Sequence, residues 1–316
     1  MLAQLLRGLY LFQMLLGGLL GAWLAAPLTH QDGSALAWLL VPLGALGLPL
    51  LLQFLTMIAL VLRARDGGPL SDWWRAFWGE YFAAIAIFML RQPWPRRASE
   101  VLLPLPGAPN PIGAAPMPVL LVHGFICNHR VWDDVAAALR RAGHPVLAID
   151  LEPLFTSIDD YAEPIELAAD KLLACTGARQ LALVGHSMGG LAIRAWLRAH
   201  GSGRVAKIIT LGSPHQGTHI VKALITANGE QMLWRSAWLQ ALQDSEKPAT
   251  RHLMQIALSR QDNVVYPQHE QVLSDASVTE FSGLGHLQLC LNPAVINWLV
   301  QQLASHQSDP ATGKPV

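Results

Sequence analysis

Formal charge is scarce in this chain and unevenly spread. Asp, Glu, Lys and Arg make up 14% of its 316 residues, and the acidic and basic sets balance at 22 each. That balance leaves no strong field to attract nucleic acid or another polyion, so no nucleic-acid partner is expected. Between Gly8 and Leu62 the only formal charge is Asp32. Cysteine is scarce too. Cys127, Cys175 and Cys290 are odd in number and widely spaced, which excludes a disulfide framework and any cysteine-based metal motif. Free thiols in a reducing compartment are the expectation, with no metal and no cofactor.

The uncharged end consists of two Leu/Ala-rich runs, Gly8 to Leu28 and Ala35 to Leu62, each able to cross a hydrocarbon core of about 30 Å. Backbone groups in lipid must bond within their own segment, so both runs are expected as helices, joined by the polar turn Thr29 to Ser34. Pro42 and Pro49 predict a kink or an offset in the second. Arg7 precedes the pair, Arg63 and Arg65 follow it, and the turn has no Lys or Arg. The positive-inside rule then puts both ends, and everything after Leu62, in the cytoplasm. That is the pattern of a multi-pass protein of a bacterial-type inner membrane. A cleaved signal peptide ending near Ala25-Ala26 is the competing expectation; Pro27 after the cleavage point and the second apolar run weigh against it. A buried soluble pair is disfavoured because neither run has a polar face.

Residues 1–66 therefore read as a membrane hairpin, and 67–117 as an aromatic segment with a connector. Trp73, Trp74, Phe77, Trp78, Tyr81 and Phe82, mixed with Arg75 and Glu80, suit a helix lying in the headgroup layer. They equally suit a helix packed on the following domain. Pro93, Pro95, Arg96 and Arg97 end this stretch, and Pro104 to Pro118 is a Pro/Gly/Ala-rich connector.

From residue 118 to 305 short aliphatic runs alternate with helical patterns. Strands are expected at Val119–Val122, Val146–Ile149, Leu181–Val184, Ile208–Leu211, Met254–Leu258 and Val278–Phe281. Helices are expected at Val131–Ala142, Ile165–Cys175, Leu191–His200 and Pro293–Leu303. This is an α/β architecture, a doubly wound and mostly parallel sheet preceded by two transmembrane helices. Ligands on such sheets sit beyond the carboxyl ends of the strands. Residues 306–316 form a polar tail, expected to be disordered.

Gly185-His186-Ser187-Met188-Gly189 lies between an expected strand and an expected helix. In that context G-x-S-x-G makes a sharp turn that holds a serine hydroxyl at a helix N-terminus, and Gly185 and Gly189 remove side chains that would collide. Ser187 needs a base, and the base needs an acid to orient it. After such an elbow the acid precedes the base. Asp262 stands just past the strand ending at Leu258, and His286 just past the last strand. His286 would take the Ser187 proton and Asp262 would fix its tautomer. Asp244 and Glu270 compete for the acid's place. The oxyanion would be held by the amides of Met188 and Phe125, with Gly124 allowing close approach. His123 reads as a structural hydrogen-bonder in that turn, and Cys127 as filler. His215 and His219 stand at i, i+4 like half a metal site, but a turn explains them better.

Together with Val119 to Phe125 and Gly212-Ser213-Pro214-His215-Gln216-Gly217-Thr218, these motifs resemble the α/β-hydrolase superfamily. The second run is similar to bacterial triacylglycerol lipases and related esterases. Over roughly Pro118 to Ala304 the resemblance implies a Ser187–Asp262–His286 triad and an oxyanion hole from Phe125 and Met188. The chain departs from secreted lipases of that group in its hairpin, its lack of cysteine pairing and its lack of a recognisable calcium-binding acidic pair.

Lipases of this kind carry lids in the insertion corresponding to residues 214–252. Met232 to Leu242 is amphipathic, and Trp234 and Trp238 stand one turn apart as candidate substrate-lining residues. An ordinary helix packed on the sheet is the competing expectation. The function expected is a membrane-anchored serine hydrolase acting on carboxylic, lipid-like acyl esters, with the bilayer as its other partner. An acyltransferase or thioesterase with the same triad is one alternative. A silent membrane scaffold is another.

Overall fold

Seven strands form one sheet: β1 (Val101–Leu102), β2 (Val119–Val122), β3 (Val146–Ile149), β4 (Leu181–His186), β5 (Val205–Leu211), β6 (Met254–Ser259) and β7 (Ser277–Phe281). Their order is β1-β3-β2-β4-β5-β6-β7. β1 runs antiparallel to β3 and every other neighbouring pair is parallel. The computed structural model describes residues 1–32, 35–96, 100–108, 117–221 and 226–304. The tail expected at 306–316 lies outside the described residues, as do 109–116 of the connector and 222–225 of the insertion.

β1 was not expected. Two residues carry too little pattern to read, yet they add an edge strand from a segment assigned to the connector. β5 begins at Val205, three residues before the aliphatic run. Pairing with β4 recruits Val205 and Lys207, although Lys207 interrupts the hydrophobic pattern. Lys207 is buried, and its ammonium is satisfied there by donating to the Gln302 carbonyl.

The helices are α1 (Leu2–Asp32), α2 (Leu40–Ala64), α3 (Leu70–Ala84), α4 (Asp133–Arg141), α5 (Ala162–Thr176), α6 (Met188–His200), α7 (Ala227–Gln231), α8 (Ala237–Ser245), α9 (Pro248–Arg251), α10 (Gln288–Leu291) and α11 (Pro293–Ala304). α1 and the stretch Ala35–Ala64 are each long and apolar enough to cross a membrane. α1 continues through Thr29 to Asp32, so most of the expected turn is helical. A tighter helical turn, Ala35–Leu39, precedes α2, and α2 runs from Leu40 to Ala64 with Pro49 inside it. Pro42 sits in the first turn of α2, where its missing N–H has no partner to lose. Outward leucines of both helices are bare: Leu19 is 68% exposed and Leu62 71%. Inward, the helices meet through glycine. A Cβ on Gly17 would lie 2.1 Å from the Gly44 carbonyl oxygen, so only glycine permits this approach.

α3 packs on the domain. Trp73, Phe77, Glu80 and Ala84 are buried along one face, while Trp74 and Phe82 remain exposed on the other. Met57 of α2, Phe77, Ala83, Ala84 and Ile87 join Val119, Leu121, Val184 and Leu289 in a single apolar core on one side of the sheet. Leu120, Leu183, Ile165 and Trp196 belong to the core on the other side. The base of the apolar hairpin is thus continuous with the interior of the sheet domain.

Candidate active site

Parallel pairing sets the position of the elbow. Val122, last in β2, pairs with Gly185, so the loops after β2 and β4 emerge side by side. Ser187 has φ +55° and ψ −129°, between the last residue of β4 and the first of α6. Such a backbone costs a non-glycine residue about 1–3 kcal/mol and persists only where surroundings enforce it. Here the Ser187 amide donates to the Leu211 carbonyl at 2.9 Å, and Gly190 donates to the Ser187 carbonyl at 3.1 Å. α6 starts at Met188, earlier than the helix pattern implied, and a Cβ on Gly189 would lie 2.1 Å from the Val122 carbonyl oxygen. A Cβ on Gly185 would lie 2.7 Å from the Gly190 nitrogen. A Cβ on Gly124 would lie 2.6 Å from the Ser187 Cβ, which brings Phe125 beside the serine. Met188, first in its helix, has an amide with no carbonyl one turn earlier to bond.

Beyond β6 and β7 the acid and base candidates meet. His286 Nδ1 donates to Asp262 Oδ2 at 2.8 Å, with both side chains buried. Asp262 Oδ1 accepts the amides of Val264 (2.9 Å) and Val265 (2.8 Å), which fixes the carboxylate. The His286 amide donates to Asn263 Oδ1 at 3.1 Å. Burial acts to lower the His286 pKa, but the Asp262 charge, its hydrogen bond and Glu80 outweigh it, and the net shift is upward. Ser187, His286 and Phe125 line one cavity of about 290 Å³. The competing acids are elsewhere: Glu270 pairs with Arg235 at 2.8 Å on the surface, and Asp244 is exposed on α8.

Glu80 belongs to this site and was not singled out in the sequence. It is buried on α3, lines the same cavity, and accepts the amides of Leu287 (2.8 Å) and Gln288 (3.1 Å) directly after His286. Burial pushes its carboxyl up to about 7, against the pull of those amides and of His286. A signal was present. Trp73, Phe77, Glu80 and Ala84 follow helical spacing, so the glutamate interrupts an apolar stripe. His186 was also missed: its Nε2 donates to the His286 carbonyl at 3.2 Å, its ring lies 4.6 Å from that of His286, and burial holds it well below the usual histidine range.

Other candidates take structural partners. His123 Nε2 accepts the Leu151 amide at 2.9 Å while its Nδ1 donates to the Gly124 carbonyl at 2.8 Å, a neutral tautomer favoured by burial. Burial pushes the Cys127 thiol up to about 12, so it is no thiolate. His215 faces Thr210 at 3.0 Å, whereas the His219 ring packs on Trp234 and Tyr266, so the two histidines do not converge. Neither Trp234 nor Trp238 lines the cavity at Ser187. Trp234 packs on His219 and Arg235, and Trp238 donates to Asp159 at 2.9 Å. The expected amphipathic stretch splits between a loop and α8, which buries Leu239 and Leu242 as an ordinary packed helix does.

Residues 117–251 match the family model of the α/β-hydrolase fold. A triacylglycerol lipase of Burkholderia plantarii is 32% identical over 120 residues, covering 35% of this chain and 33% of the relative. A triacylglycerol lipase of Pseudarthrobacter phenanthrenivorans is 33% identical over 110 residues, covering 32% of this chain and 34% of the relative. The chain thus spans about a third of the length of these curated relatives. The mature lipase of Bacillus licheniformis shares the fold at a TM-score of 0.54 and 17% identity, covering 66% of this chain and 99% of that one. With its mostly parallel sheet and two candidate membrane spans ahead of it, this chain has the α/β-hydrolase fold and, over part of its length, resembles the triacylglycerol lipases.

Proposed function

We propose that this chain is a membrane-anchored serine hydrolase that cleaves carboxylic esters with lipid-like acyl groups. The observation that carries it is the 2.8 Å bond from His286 to Asp262 on a cavity that also receives Ser187. With Nδ1 committed to Asp262, Nε2 of His286 holds the free lone pair and takes the Ser187 proton as Oγ attacks the ester carbonyl. The amides of Phe125 and Met188 donate to the oxyanion, a contribution of about 10²–10³ in rate per donor. Collapse expels the alcohol with the proton from His286. Water then attacks acyl-Ser187, with His286 again as base, and releases the acid. The names of the lipase relatives support an ester as substrate.

The apolar hairpin supplies the anchor, and the basic residues at its two ends favour a cytoplasmic hydrolase domain in a bacterial-type inner membrane. Reporter fusions after Leu62 test this side; an external signal overturns it.

The chemistry is tested by treating the full-length protein with a fluorophosphonate probe and assaying p-nitrophenyl esters, wild type against Ser187→Ala. Labelling and turnover that both vanish in Ser187→Ala are expected. Labelling of wild type without turnover points instead to a transferase, and no labelling removes the serine mechanism.

A further inference from the structure

The cavity at Ser187 is not enclosed by the sheet domain alone. α2 contributes Gln53, Thr56, Met57 and Leu60, which at i, i+3, i+4 and i+7 form one face of a helix. Ala84 of α3 and Phe88, just beyond it, close a second side. α2 is fastened to the acid–base loop by direct bonds. Asn263 Nδ2 donates to the Met57 sulfur at 3.3 Å, and Gln268 Nε2 donates both to the Ala64 carbonyl (3.1 Å) and to that of Asp262 (2.8 Å). The opposite face of the same helix turns Leu51, Leu55 and Leu62 outward, each more than half exposed.

The depth of this face follows from helix geometry. Counted from Ala35 or from Leu40, about 30 Å of hydrocarbon ends near residues 53 to 60. The Gln53–Leu60 face therefore lies where acyl chains meet headgroups, with Ser187 just beyond.

We propose that this cavity is the acyl-chain site, filled by one chain of a lipid ester entering sideways from the bilayer along α2. The proposal rests on the ester-hydrolase reading above. The ester carbonyl stays at Ser187, and the methylenes run past Met57, Leu60, Ala84 and Phe88. A volume of about 290 Å³ is at the small end of ligand sites and suits one chain, not several together. The specificity wall is then the membrane helix, and the Trp234–Trp238 segment takes no part.

The test uses full-length protein in lipid nanodiscs and the ratio of kcat/KM for p-nitrophenyl decanoate over p-nitrophenyl acetate. Leu60→Trp, which fills the chain path, lowers that ratio by about tenfold or more. Leu55→Trp, on the outward face, leaves it unchanged. A second measurement needs no variant: a decyl fluorophosphonate with a terminal diazirine reacts with Ser187 and is photolysed. Crosslinks are expected within 53–60 or 84–88. An unchanged ratio in Leu60→Trp, or crosslinks confined to 232–242, overturns the acyl site while leaving the esterase reading intact. No reaction at Ser187 and no turnover of acetate overturns both.

Discussion

Glu80 accepts the backbone amide of Leu287 through Oε1 at 2.8 Å, across 207 positions of chain and directly beside His286. Its other oxygen accepts Gln288 at 3.1 Å. A residue from the helix that follows the apolar hairpin therefore holds the loop carrying His286. Its charge also raises the His286 pKa. Glu80→Gln removes that charge, so His286 loses its proton more readily. The acid limb of the kcat/KM profile for a p-nitrophenyl ester should move to lower pH. A limb that stays in place, or moves up, contradicts the coupling.

The same residue ties stability to pH. Its folded-state pKa of about 7 lies above the ordinary 4.5, so the folded protein holds this proton more tightly than the unfolded chain. The stability Glu80 contributes is complete below 4.5 and is lost as pH rises through about 7. The melting-temperature advantage of wild type over Glu80→Gln should shrink across that window. Parallel melting curves at every pH would refute it.

Asp262→Asn keeps the shape of the acid but lets the imidazole adopt the wrong tautomer. A loss of about 10³–10⁴ in kcat is expected, by analogy with other Ser-His-Asp enzymes. The rate of fluorophosphonate labelling should fall with it. Labelling at the wild-type rate would mean that Asp262 does not orient the base.

At Gly124 a methyl group would lie 2.6 Å from the Ser187 Cβ and 3.0 Å from the His186 carbonyl oxygen, so Gly124→Ala must push away the loop after β2, the proposed oxyanion loop. A displacement near 1 Å costs about 10² in rate. Steady-state kinetics should show this in kcat, because the displaced donors act on the transition state. A change in KM alone would separate Gly124 from the oxyanion site.

Gly44→Leu probes the hairpin. A Cβ there would lie 2.2 Å from the Gly17 carbonyl oxygen, so the two apolar helices must separate. Overpacking of this kind costs about 1–3 kcal/mol or more, read as a lower melting temperature in detergent. A melting temperature equal to that of wild type would show that the helices do not pack through these glycines.

Much of the sheet was legible because parallel buried strands are near-continuous aliphatic runs: Val119–Val122, Val146–Ile149 and Met254–Leu258 each lie within the strands observed. The pattern fails where charge or brevity interrupts it, at Lys207 in β5 and in the two residues of β1. Helix ends shifted for a similar reason. α6 takes in Gly189 and Gly190 because their lack of side chains lets the helix start against β2, something propensity disfavours. Trp234 and Trp238 carried the right spacing for a lipid-facing stripe, but Asp159 and His219 hold them elsewhere.

The order of residues was enough to determine the elbow at Ser187, the apolar hairpin and the alternation that builds the sheet. Each depends on local rules: turn sterics, the cost of unpaired backbone in lipid, and the periodicity of burial. Only tertiary structure decided that Glu80 supports the loop of His286 and that α2 walls the cavity at Ser187. Those contacts join segments some two hundred residues apart, and hydropathy cannot distinguish an outward helix face from one turned to the cavity at Ser187. The packing of Met57 and Phe77 into the sheet core makes that choice.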